Sequence, residues 1–391
     1  MRFPEFHGEW EEHGLSEYLD FKNGLNPDSK RFGKGIKFIS VMDILNNPVI
    51  TYDCIRASVQ ATDAEMSSFS VENGDILFQR SSETLEDVGR ANVYIDDKVA
   101  VFGGFVIRGK KKANYNPLFF RYLLSSPYAR KRIIPMGAGA QHFNIGQEGL
   151  SKVLLNFPSI EEQTKIASLL HLLDERIATQ SKLIEDLKKL KSAIIVEHYR
   201  QTEKNEVCVA DLGNHFNVGN LAKDDLSETG KPCIIYGELF TTYGEIISQI
   251  ESHTNKTEGM ILSKKGDLLF PSSTTVDAVS LIAPSVINVD NVILGGDMFG
   301  IHISHNYNTQ YLSYYFNHIA KKQLAKFAKG STVIHLHYTD IEKAKLLLPS
   351  LEEQNRMAKC LVALDKKISV EQNLLSSLTC QKSYLLQQMF I

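Results

Sequence analysis

The residues that a catalytic site would need occur in this sequence only as fragments of motifs. Gly104–Lys110 has the glycine and lysine spacing of a phosphate-binding loop, but Lys111 stands where a Ser or Thr hydroxyl should bind Mg²⁺. Asn116–Phe119 resembles the Asn-Pro-Pro-Tyr/Phe segment of amino-methyltransferases, but its second proline is missing and no glycine-rich cofactor loop precedes it. A nuclease site requires an (Asp/Glu)-x-Lys segment after a Pro-Asp pair. The only Pro-Asp pair here is Pro27-Asp28, and the thirty residues that follow it contain no such segment. We therefore expect no complete active site.

Charge is distributed unevenly along the chain. The formal net charge of −3 counts against a protein that binds DNA unaided, because neutralising phosphates needs clustered lysine and arginine. Two windows nevertheless contain no Asp or Glu. Residues 98–147 contain nine basic residues, and residues 298–339 contain four lysines beside five histidines. Two acid-free windows in matching places require a common cause.

That cause is an internal repeat. One offset recurs along the chain, and the two acid-free windows follow it. The repeated segments are Pro158–Gln163 with Pro349–Gln354 at 191 residues, and Gly74–Phe78 with Gly266–Phe270 and Gly103-Gly104 with Gly295-Gly296 at 192. The protein is therefore two copies of a unit of roughly 190 residues, each of them a mixed α/β region followed by a long helix.

The start of each long helix is marked by a capping signature. Ser159 with Glu162, and Ser350 with Glu353, have the S-x-x-E spacing in which the hydroxyl caps the helix and the glutamate reaches back to the N-cap amide. A proline before each serine closes off the preceding strand.

A nearly apolar stripe follows in both helices at alternating steps of four and three. Seven of its nine positions are apolar in each copy, and the two polar breaks coincide. The stripes are Ile166, Leu170, Leu173, Ile177, Gln180, Ile184, Leu187, Lys191 and Ile194, and Met357, Leu361, Leu364, Ile368, Glu371, Leu375, Leu378, Lys382 and Leu385. The spacing predicts a coiled-coil seam of about four heptads. An alternative is that each helix is amphipathic and packs only on its own domain.

Antiparallel packing of the two helices explains the order of the chain, since it returns the C-terminus to the first unit. We expect a rod about 60 Å long at 1.5 Å per residue, with a globular domain at each end. Gln180 and Glu371 are related by the 191-residue offset and lie near the helix centres, so they should face each other. A polar pair inside an apolar seam penalises slipped alignments.

The predicted fold class is α+β, with two pseudo-symmetric α/β domains joined by the antiparallel coiled coil. Short apolar runs at 36–41, 76–78, 99–107 and 234–236 indicate strands, and residues 119–132 and 311–329 indicate helices. We expect a curved sheet in each domain. The predicted boundaries are 1–157 for the first domain, 158–201 for the first long helix, 202–348 for the second domain and 349–391 for the second long helix.

Composition gives the cellular context. The first ten residues carry charges and no apolar run, so neither a signal peptide nor a membrane span is expected, and the cytoplasm is the expected location. The cysteines are odd in number and at least 20 residues apart, which favours reduced thiols over disulfides or a zinc site. They are Cys54, Cys208, Cys233, Cys360 and Cys380. No metal site is expected.

Several of these segments together resemble the conserved region of type I restriction–modification specificity subunits. The P-S-x-E-E-Q segment is followed by a helix containing Leu173–Ile177 in one copy and Leu364–Ile368 in the other. Gly74–Phe78 with its repeat, and the N-terminal Arg2–Trp10, share the resemblance. It covers the whole chain twice.

The resemblance implies a non-catalytic protein that reads DNA. In this family each globular unit is a target-recognition domain for one half of a split sequence, and the paired helices fix the unread spacer. The helices also recruit two modification subunits, which use S-adenosylmethionine to methylate adenine N6, and restriction subunits that use ATP and Mg²⁺ join them. This chain itself is then expected to bind no cofactor. Because an adenine must leave the duplex to be methylated, the reader has to hold the DNA meanwhile.

Two classes of DNA-contacting residue follow from this resemblance. Basic side chains are candidates for phosphate contacts, which position the protein without specifying sequence. They are Lys110, Lys111, Lys112, Arg130, Lys131 and Arg132 in the first unit, and Lys321, Lys322, Lys326 and Lys329 in the second. A solvated helix face is the alternative.

Base recognition needs side chains with fixed donors and acceptors on loops. The candidates are Arg80, Gln141, His142 and Asn144 in the first unit, and Ser273, Thr274, Thr332, His335 and His337 in the second. Arg80 aligns with Ser272, a difference that is natural if the two domains read different bases.

Two other function classes remain open. A structural adaptor, with a coiled-coil rod that displays two protein-binding domains, explains the helices but not the acid-free windows. A self-sufficient modification or restriction enzyme would need the active-site motifs that are incomplete here.

Overall fold

A computed structural model describes residues 1–390 and places them in two compact units. Unit 1 comprises Met1–Lys182 with the C-terminal segment from Gln372 on, and unit 2 comprises Leu183–Glu371. Each unit therefore contains one globular domain and part of both long helices, where the sequence predicts a domain followed by its own helix.

The globular part of unit 1 is built on short strands. These are β1 (Glu11–Gly14), β2 (Leu19–Asn23), β3 (Phe32–Ile39), β4 (Ser58–Val59), β5 (Ser70–Val71), β6 (Ile76–Gln79), β7 (Ser81–Ser82), β8 (Ala91–Val93), β9 (Ala100–Phe102), β10 (Val106–Lys111), β11 (Phe143–Asn144) and β12 (Leu154–Phe157). The α-helices are α1 (Leu15–Tyr18), α2 (Val41–Asn46), α3 (Asp63–Phe69), α4 (Pro117–Ser125), α5 (Pro127–Ile133) and α6 (Gln147–Ser151), followed by the long helix α7 (Ile160–Gln201).

The second globular part repeats this plan. Its strands are β13 (Asn205–Cys208), β14 (Gly213–Asn217), β15 (Leu226–Ser227), β16 (Lys231–Ile235), β17 (Ile246–Ile247), β18 (Ser252–Thr254), β19 (Ile261–Leu262), β20 (Asp267–Pro271), β21 (Ser273–Thr274), β22 (Ser285–Ile287), β23 (Ile293–Gly295), β24 (Met298–Ile303), β25 (Ile334–His335) and β26 (Lys345–Leu348). Its α-helices are α8 (Glu238–Thr241), α9 (Ala278–Leu281), α10 (Thr309–Tyr315), α11 (Lys321–Leu324) and α12 (Tyr338–Ile341), followed by the long helix α13 (Leu351–Gln388).

Instead of the one curved sheet predicted, each domain as described has two sheets of four or five strands and two two-stranded sheets. The larger sheets run β2-β10-β6-β8 and β4-β3-β9-β5 in the first domain, and β14-β24-β20-β22-β17 and β15-β18-β16-β23-β19 in the second. The predicted strand at 99–107 is accordingly two strands in different sheets, separated by Gly103-Gly104-Phe105. A Cβ on Gly104 would lie 1.8 Å from Asn26 Oδ1, so a larger residue at this crossing would require the Asn26 side chain to move.

The predicted helices inside the domains are also interrupted. Residues 119–132 are divided at Ser126, whose hydroxyl caps α5 while Pro127 begins that helix. Residues 311–329 contain a π-helical turn, Phe316–Ala320, between α10 and α11. Proline at the first helical position is compatible with a new helix but not with an uninterrupted one.

The glycine and aspartate of each G-D-Φ-Φ-F segment form a turn before a central strand. Gly74 and Gly266 have φ of +92° and +94°, a conformation that favours glycine. Asp75 and Asp267 are buried, and each carboxylate accepts a hydrogen bond from a backbone N–H three residues earlier. These residues therefore shape the fold.

The two long helices are antiparallel. In unit 1 the first half of α7 shares a core with the last part of α13, and in unit 2 the end of α7 shares one with the start of α13. The contributing residues are Ile166, Leu170 and Leu173 with Leu378, Leu385, Met389 and Phe390 in unit 1, and Ile195 with Met357, Ala358 and Leu361 in unit 2. The predicted pairing of two long antiparallel helices is confirmed.

The predicted capping boxes are only half right. Ser159 Oγ and Ser350 Oγ accept hydrogen bonds from the N–H groups of Glu162 (3.4 Å) and Glu353 (3.3 Å). The glutamate carboxylates are bonded to arginines instead of the N-cap amide. Arg2 donates two hydrogen bonds to Glu162, of 2.8 and 2.7 Å, and Arg356 donates two to Glu353, of 3.1 and 2.5 Å. In a separate respect, every helix within residues 1–390 is too short or too polar to span a bilayer.

Candidate DNA interface

The base-recognition candidates of the first domain lie around one small two-stranded ribbon. Strand β7 pairs with β11, which places Ser81 opposite Asn144. Ile145 N donates to Arg80 O (2.9 Å), so Arg80 stands at the foot of the ribbon. Gln141 and His142 are exposed in the loop that leads into β11. Four residues predicted from separate parts of the sequence are thus neighbours.

A glycine sets the shape of that loop. Ala138 and Asn144 exchange two backbone hydrogen bonds of 2.9 Å, which closes residues 139–143 into a tight turn. Gly139 has φ of +146°, and a Cβ there would lie 2.0 Å from His142 O. The turn therefore requires glycine, and it presents Gln141 and His142 to solvent on a fixed backbone.

The second domain builds the same loop. Strand β21 pairs with β25, and Lys329 and His335 exchange backbone hydrogen bonds of 2.9 and 2.7 Å. Gly330 has φ of +114°, and a Cβ there would lie 2.1 Å from Val333 O. Thr332 is exposed at the tip. The backbone of the loop is repeated while its side chains differ.

The remaining base-recognition candidates of the second domain differ in their exposure to solvent. His337 is exposed, and its ring stacks near that of His335, with centroids 6.2 Å apart. Thr274 is half-buried. Ser273 is only 3 % exposed, and its hydroxyl donates to Asp297 Oδ2 at 2.8 Å. Ser273 therefore orients Asp297 and does not itself face solvent.

The basic candidates of the first domain do not form one surface. Lys110, Lys111 and Lys112 lie at or just beyond the end of β10, about 17 Å from its start beside the ribbon at 3.3 Å per residue. Lys110 pairs with Glu72 (3.0 Å), and Lys111 Nζ donates to Tyr115 O (3.1 Å). These lysines therefore lie at the end of β10 that is farther from the ribbon.

We call residues 139–143, and the equivalent residues 330–334 of the second domain, the recognition loops. The basic residues of α5 are closer along the chain to the first of these loops. Lys131 and Arg132 are exposed, and the Arg132 guanidinium lies 3.9 Å from the centre of the Tyr128 ring. Arg130 differs, because its Nη2 donates to Glu86 O (2.8 Å) and Val88 O (2.7 Å). Burial and the neighbouring Arg90 lower the pKa of the Arg130 guanidinium to about 10. Arg130 thus holds α5 against the preceding loop.

The lysines of the second domain flank its recognition loop more directly. Lys322, Lys326 and Lys329 are exposed, while Lys321 is half-buried and lines a cavity with Ser273, Thr274 and Asp297. Lys329 directly precedes the loop and pairs with Asp340. Its hydrogen bond, together with one from His337 N, holds the pKa of the Asp340 carboxyl below its usual range.

A polar cluster at each end of the helix pair was not predicted. In unit 1, Asp174 of α7 accepts a hydrogen bond from Tyr122 Oη (2.8 Å) and pairs with Lys382 of α13 (2.5 Å). In unit 2, Asp365 of α13 accepts from Tyr314 Oη and lies 2.8 Å from Lys191 Nζ of α7. The same three residue types recur at the repeat offset. Lys191 and Lys382 are the second polar position of each apolar stripe. The sequence therefore marks these lysines as unusual, but it does not show which residues they contact.

The glutamine that ends each P-S-x-E-E-Q segment ties a domain to its helix. Gln163 Nε2 donates to Pro158 O (3.0 Å), and its Oε1 accepts from Asn116 N (3.1 Å). Gln354 repeats both bonds, at 2.9 Å each, with Pro349 O and Asn308 N. Asn116 in turn caps α4, so the residues that resemble a methyltransferase motif form a helix N-terminus here.

The first seven positions of each predicted stripe, fourteen residues in all, are buried or half-buried. They are Ile166, Leu170, Leu173, Ile177, Gln180, Ile184, Leu187, Met357, Leu361, Leu364, Ile368, Glu371, Leu375 and Leu378. Gln180 and Glu371 are 7 % and 6 % exposed, and their direct pairing stays a prediction.

Comparison with known proteins gives the family. The model of the type I restriction modification DNA specificity domain matches twice, over residues 7–189 and 202–379. A proposed specificity subunit of the MjaX type I restriction enzyme, from Methanocaldococcus jannaschii, is 23% identical over 386 residues, covering 93% of this chain and 88% of the relative. The MjaVIII type I restriction enzyme specificity subunit from the same organism is 21% identical, covering 94% and 90%.

Solved structures share the fold. The crystal structure of the S subunit of a type I restriction-modification system from M. genitalium superimposes with a TM-score of 0.61 at 16% identity, covering 100% of this chain and 99% of that one. A chain from a structure on complex assembly and conformational transition of the type I system gives 0.60 at 14% identity, covering 98% and 97%. With two family domains that together span most of its length, this chain belongs to the type I restriction–modification DNA specificity family.

Proposed function

We propose that this specificity subunit reads a bipartite DNA sequence, one half with each domain, and holds two adenine-N6 methyltransferase subunits over it. Restriction subunits would join the same complex. The proposal combines the family with the geometry of the two recognition loops.

The proposal is supported by two loops, one in each domain, that share a backbone conformation but carry different side chains. The same ribbon and glycine-fixed turn occur in both domains. Arg80, Gln141 and Asn144 of the first correspond to Ser272, Thr332 and His335 of the second. A shared structural role would favour the same side chains at these positions, whereas two readers of different sequences need different ones.

Phosphate contacts complete the binding. Lys131 and Arg132 in one domain, and Lys322, Lys326 and Lys329 in the other, are exposed cations within about ten residues of the loops along the chain. A net charge of −3 is compatible with this role if partner subunits supply further phosphate contacts.

The chemistry is proposed to come from the partners. S-adenosylmethionine would be bound by the modification subunits, and ATP with Mg²⁺ by the restriction subunits, all in the cytoplasm. The isolated chain, supplied with S-adenosylmethionine, is then expected to transfer no methyl group to DNA. Transfer of a labelled methyl group by the purified chain would contradict this.

Selection from a pool of random duplexes tests the DNA-reading role. The chain co-expressed with its modification subunits is expected to enrich two short sequence blocks separated by a fixed number of unread base pairs. Enrichment of a single block would contradict two independent readers. Failure to bind DNA even with the partners present would favour the alternative, a coiled-coil adaptor that displays two protein-binding domains.

A further inference from the structure

We propose that Phe105 and Asp297, at equivalent positions in the two domains, choose different classes of base. Phe105 with Arg80 would select a thymine methyl beside a guanine, and Asp297 would select cytosine or adenine on the strand it contacts, since their amino groups are the donors of the major groove. This inference rests on the proposed function, because it names what each recognition loop recognises.

The two residues occupy the same place in the fold. Each follows a glycine pair that crosses between the two sheets of its domain. Arg80 N donates to Phe105 O (2.9 Å), and Ser272 N donates to Asp297 O (2.7 Å). Ile145 N and Leu336 N then donate to the carbonyl groups of Arg80 and Ser272, both at 2.9 Å. In both domains the residue after the glycine pair is therefore hydrogen-bonded to the residue that directly precedes the first strand of the two-stranded ribbon, β7 or β21.

In the first domain this place is apolar with a cation beside it. The Phe105 side chain is 69 % exposed, and it borders an apolar hollow of about 430 Å³ that Phe32 and Met42 also line. Arg80 Nη1 donates to Gly104 O (3.3 Å), which holds the guanidinium at the carbonyl group that directly precedes Phe105. Because most of the Phe105 ring stays in water, its burial contributes little to the stability of the domain.

Base edges in the major groove match this pair. Thymine presents a methyl group, for which an aromatic ring is an apolar contact. Guanine presents N7 and O6, two acceptors that fit the fork of an arginine. The guanidinium has five N–H donors, and Nη1 directs one of them to Gly104 O, so donors remain for a base.

In the second domain the same place is anionic. Asp297 is exposed, and Ser273 Oγ donates to its Oδ2 at 2.8 Å. Asp297 directly precedes the acid-free window 298–339 and lines a cavity with Lys321. A carboxylate on a surface that approaches phosphates is repelled by them, so its presence there points to a specific partner.

An ionised carboxylate can only accept hydrogen bonds. In the major groove the donors are the amino groups of cytosine N4 and adenine N6. Guanine and thymine present only acceptors and a methyl group along this edge. Asp297 would therefore favour cytosine or adenine and disfavour the other two bases at one position.

Mapping methylated adenines in a library with randomised half-sites tests the assignment, using the full chain with its modification subunits. Asp297→Ala is expected to lower discrimination at one position of the second half-site by at least about tenfold and to leave the first half-site unchanged. Phe105→Ala should do the reverse. Asp290→Ala and Val99→Ala, which change an exposed aspartate and an exposed valine elsewhere in the same domains, serve as matched controls.

Transplanting the pair gives a gain of function that misfolding cannot mimic. Phe105→Asp combined with Arg80→Ser is expected to move the preference at one position of the first half-site towards cytosine or adenine. The inference is overturned if the wild-type complex reads two half-sites but these variants change neither. A wild-type complex that selects no sequence at all would instead refute the proposed function.

Discussion

Glu245 lies inside a ring of charged and polar groups that hold the second domain on its helices. Its Oε1 is 3.0 Å from Lys191 Nζ and 3.0 Å from His318 Nε2, and Lys191 also reaches Asp365 at 2.8 Å. Burial alone would raise the pKa of the Glu245 carboxyl. The hydrogen bond from His318 and the charge of Lys191 outweigh burial and hold that pKa at about 2.

This depressed pKa predicts acid sensitivity in unit 2. Because the folded-state pKa lies below the ordinary value of 4.5, the stabilisation is fully present above about pH 5 and is lost as pH falls towards 2. Glu245→Gln should lower the free energy of unfolding at pH 7 by about 1–3 kcal/mol. The difference from wild type should shrink at pH 4 and further at pH 3.

Urea unfolding at each pH measures this difference. Glu251→Gln is the matched control, since Glu251 is exposed in the same domain and its substitution should have little effect. A Glu245→Gln deficit that stays constant from pH 7 to pH 3 would show that the carboxylate is not the group that titrates.

Comparison of the repeats indicates which residues matter in such clusters but not what they contact. Lys191 and Lys382 stand out as matching polar breaks in apolar stripes. Their partners, among them Asp174 and Tyr122, lie far away in the chain and are brought close only by antiparallel pairing. Sequence spacing carries information about neighbours on one helix, and these contacts join different elements.

At the scale of elements, the recognition loops depend on one glycine each. Gly139→Ala would place a Cβ 2.0 Å from His142 O at a φ of +146°, so the turn must open. We expect the variant complex to lose affinity for the first half-site by about tenfold or more, while discrimination in the second half-site is retained.

A binding measurement with separately mutated half-sites checks this expectation. Gly146→Ala is the matched control, because a Cβ there meets nothing within 4 Å. Equal loss at both half-sites would show that the loop does not act within its own domain.

The buried glutamines Gln163 and Gln354 each bond a domain to its long helix, and we call this arrangement the glutamine clip. It leads to a prediction about stability. Gln354→Leu would leave Pro349 O and Asn308 N without the bonds that Gln354 makes. We expect the free energy of unfolding to fall by about 1–3 kcal/mol. Chemical denaturation compares it with Gln372→Leu, which changes an exposed glutamine of the same helix. An unchanged stability would mean that the clip is dispensable.

Elements with strong periodicity are predicted well from the sequence, and short ones are not. The two long helices, Ile160–Gln201 and Leu351–Gln388, begin two residues after the predicted starts at 158 and 349, because an apolar stripe of nine positions at helical spacing is typical of a long helix and of no strand. The predicted end of the second helix, residue 391, lies outside the described residues. The run at 99–107 resembles one strand because its apolar residues are nearly continuous. Only the strand pairing shows that the chain changes sheets there, because β9 pairs with β3 and β5 whereas β10 pairs with β2 and β6.

At the scale of the whole molecule, the repeat is what the sequence reveals most clearly. The 191-residue offset predicts two equivalent units and places the recognition candidates of each in corresponding positions. It does not predict that each compact unit contains part of both helices, since that follows from antiparallel pairing. Nor does an acid-free window show that Lys110–Lys112 and the recognition loop lie at different ends of a strand.

In the proposed complex each domain reads its own half of the DNA site. This independence is tested by exchanging residues 1–157 for the corresponding domain of a relative and mapping methylated adenines genome-wide in cells that contain the modification subunits. We predict that one half-site changes to that of the donor and that the other half-site and the spacer stay as in the wild type. A change in both half-sites, or in neither, would contradict the account.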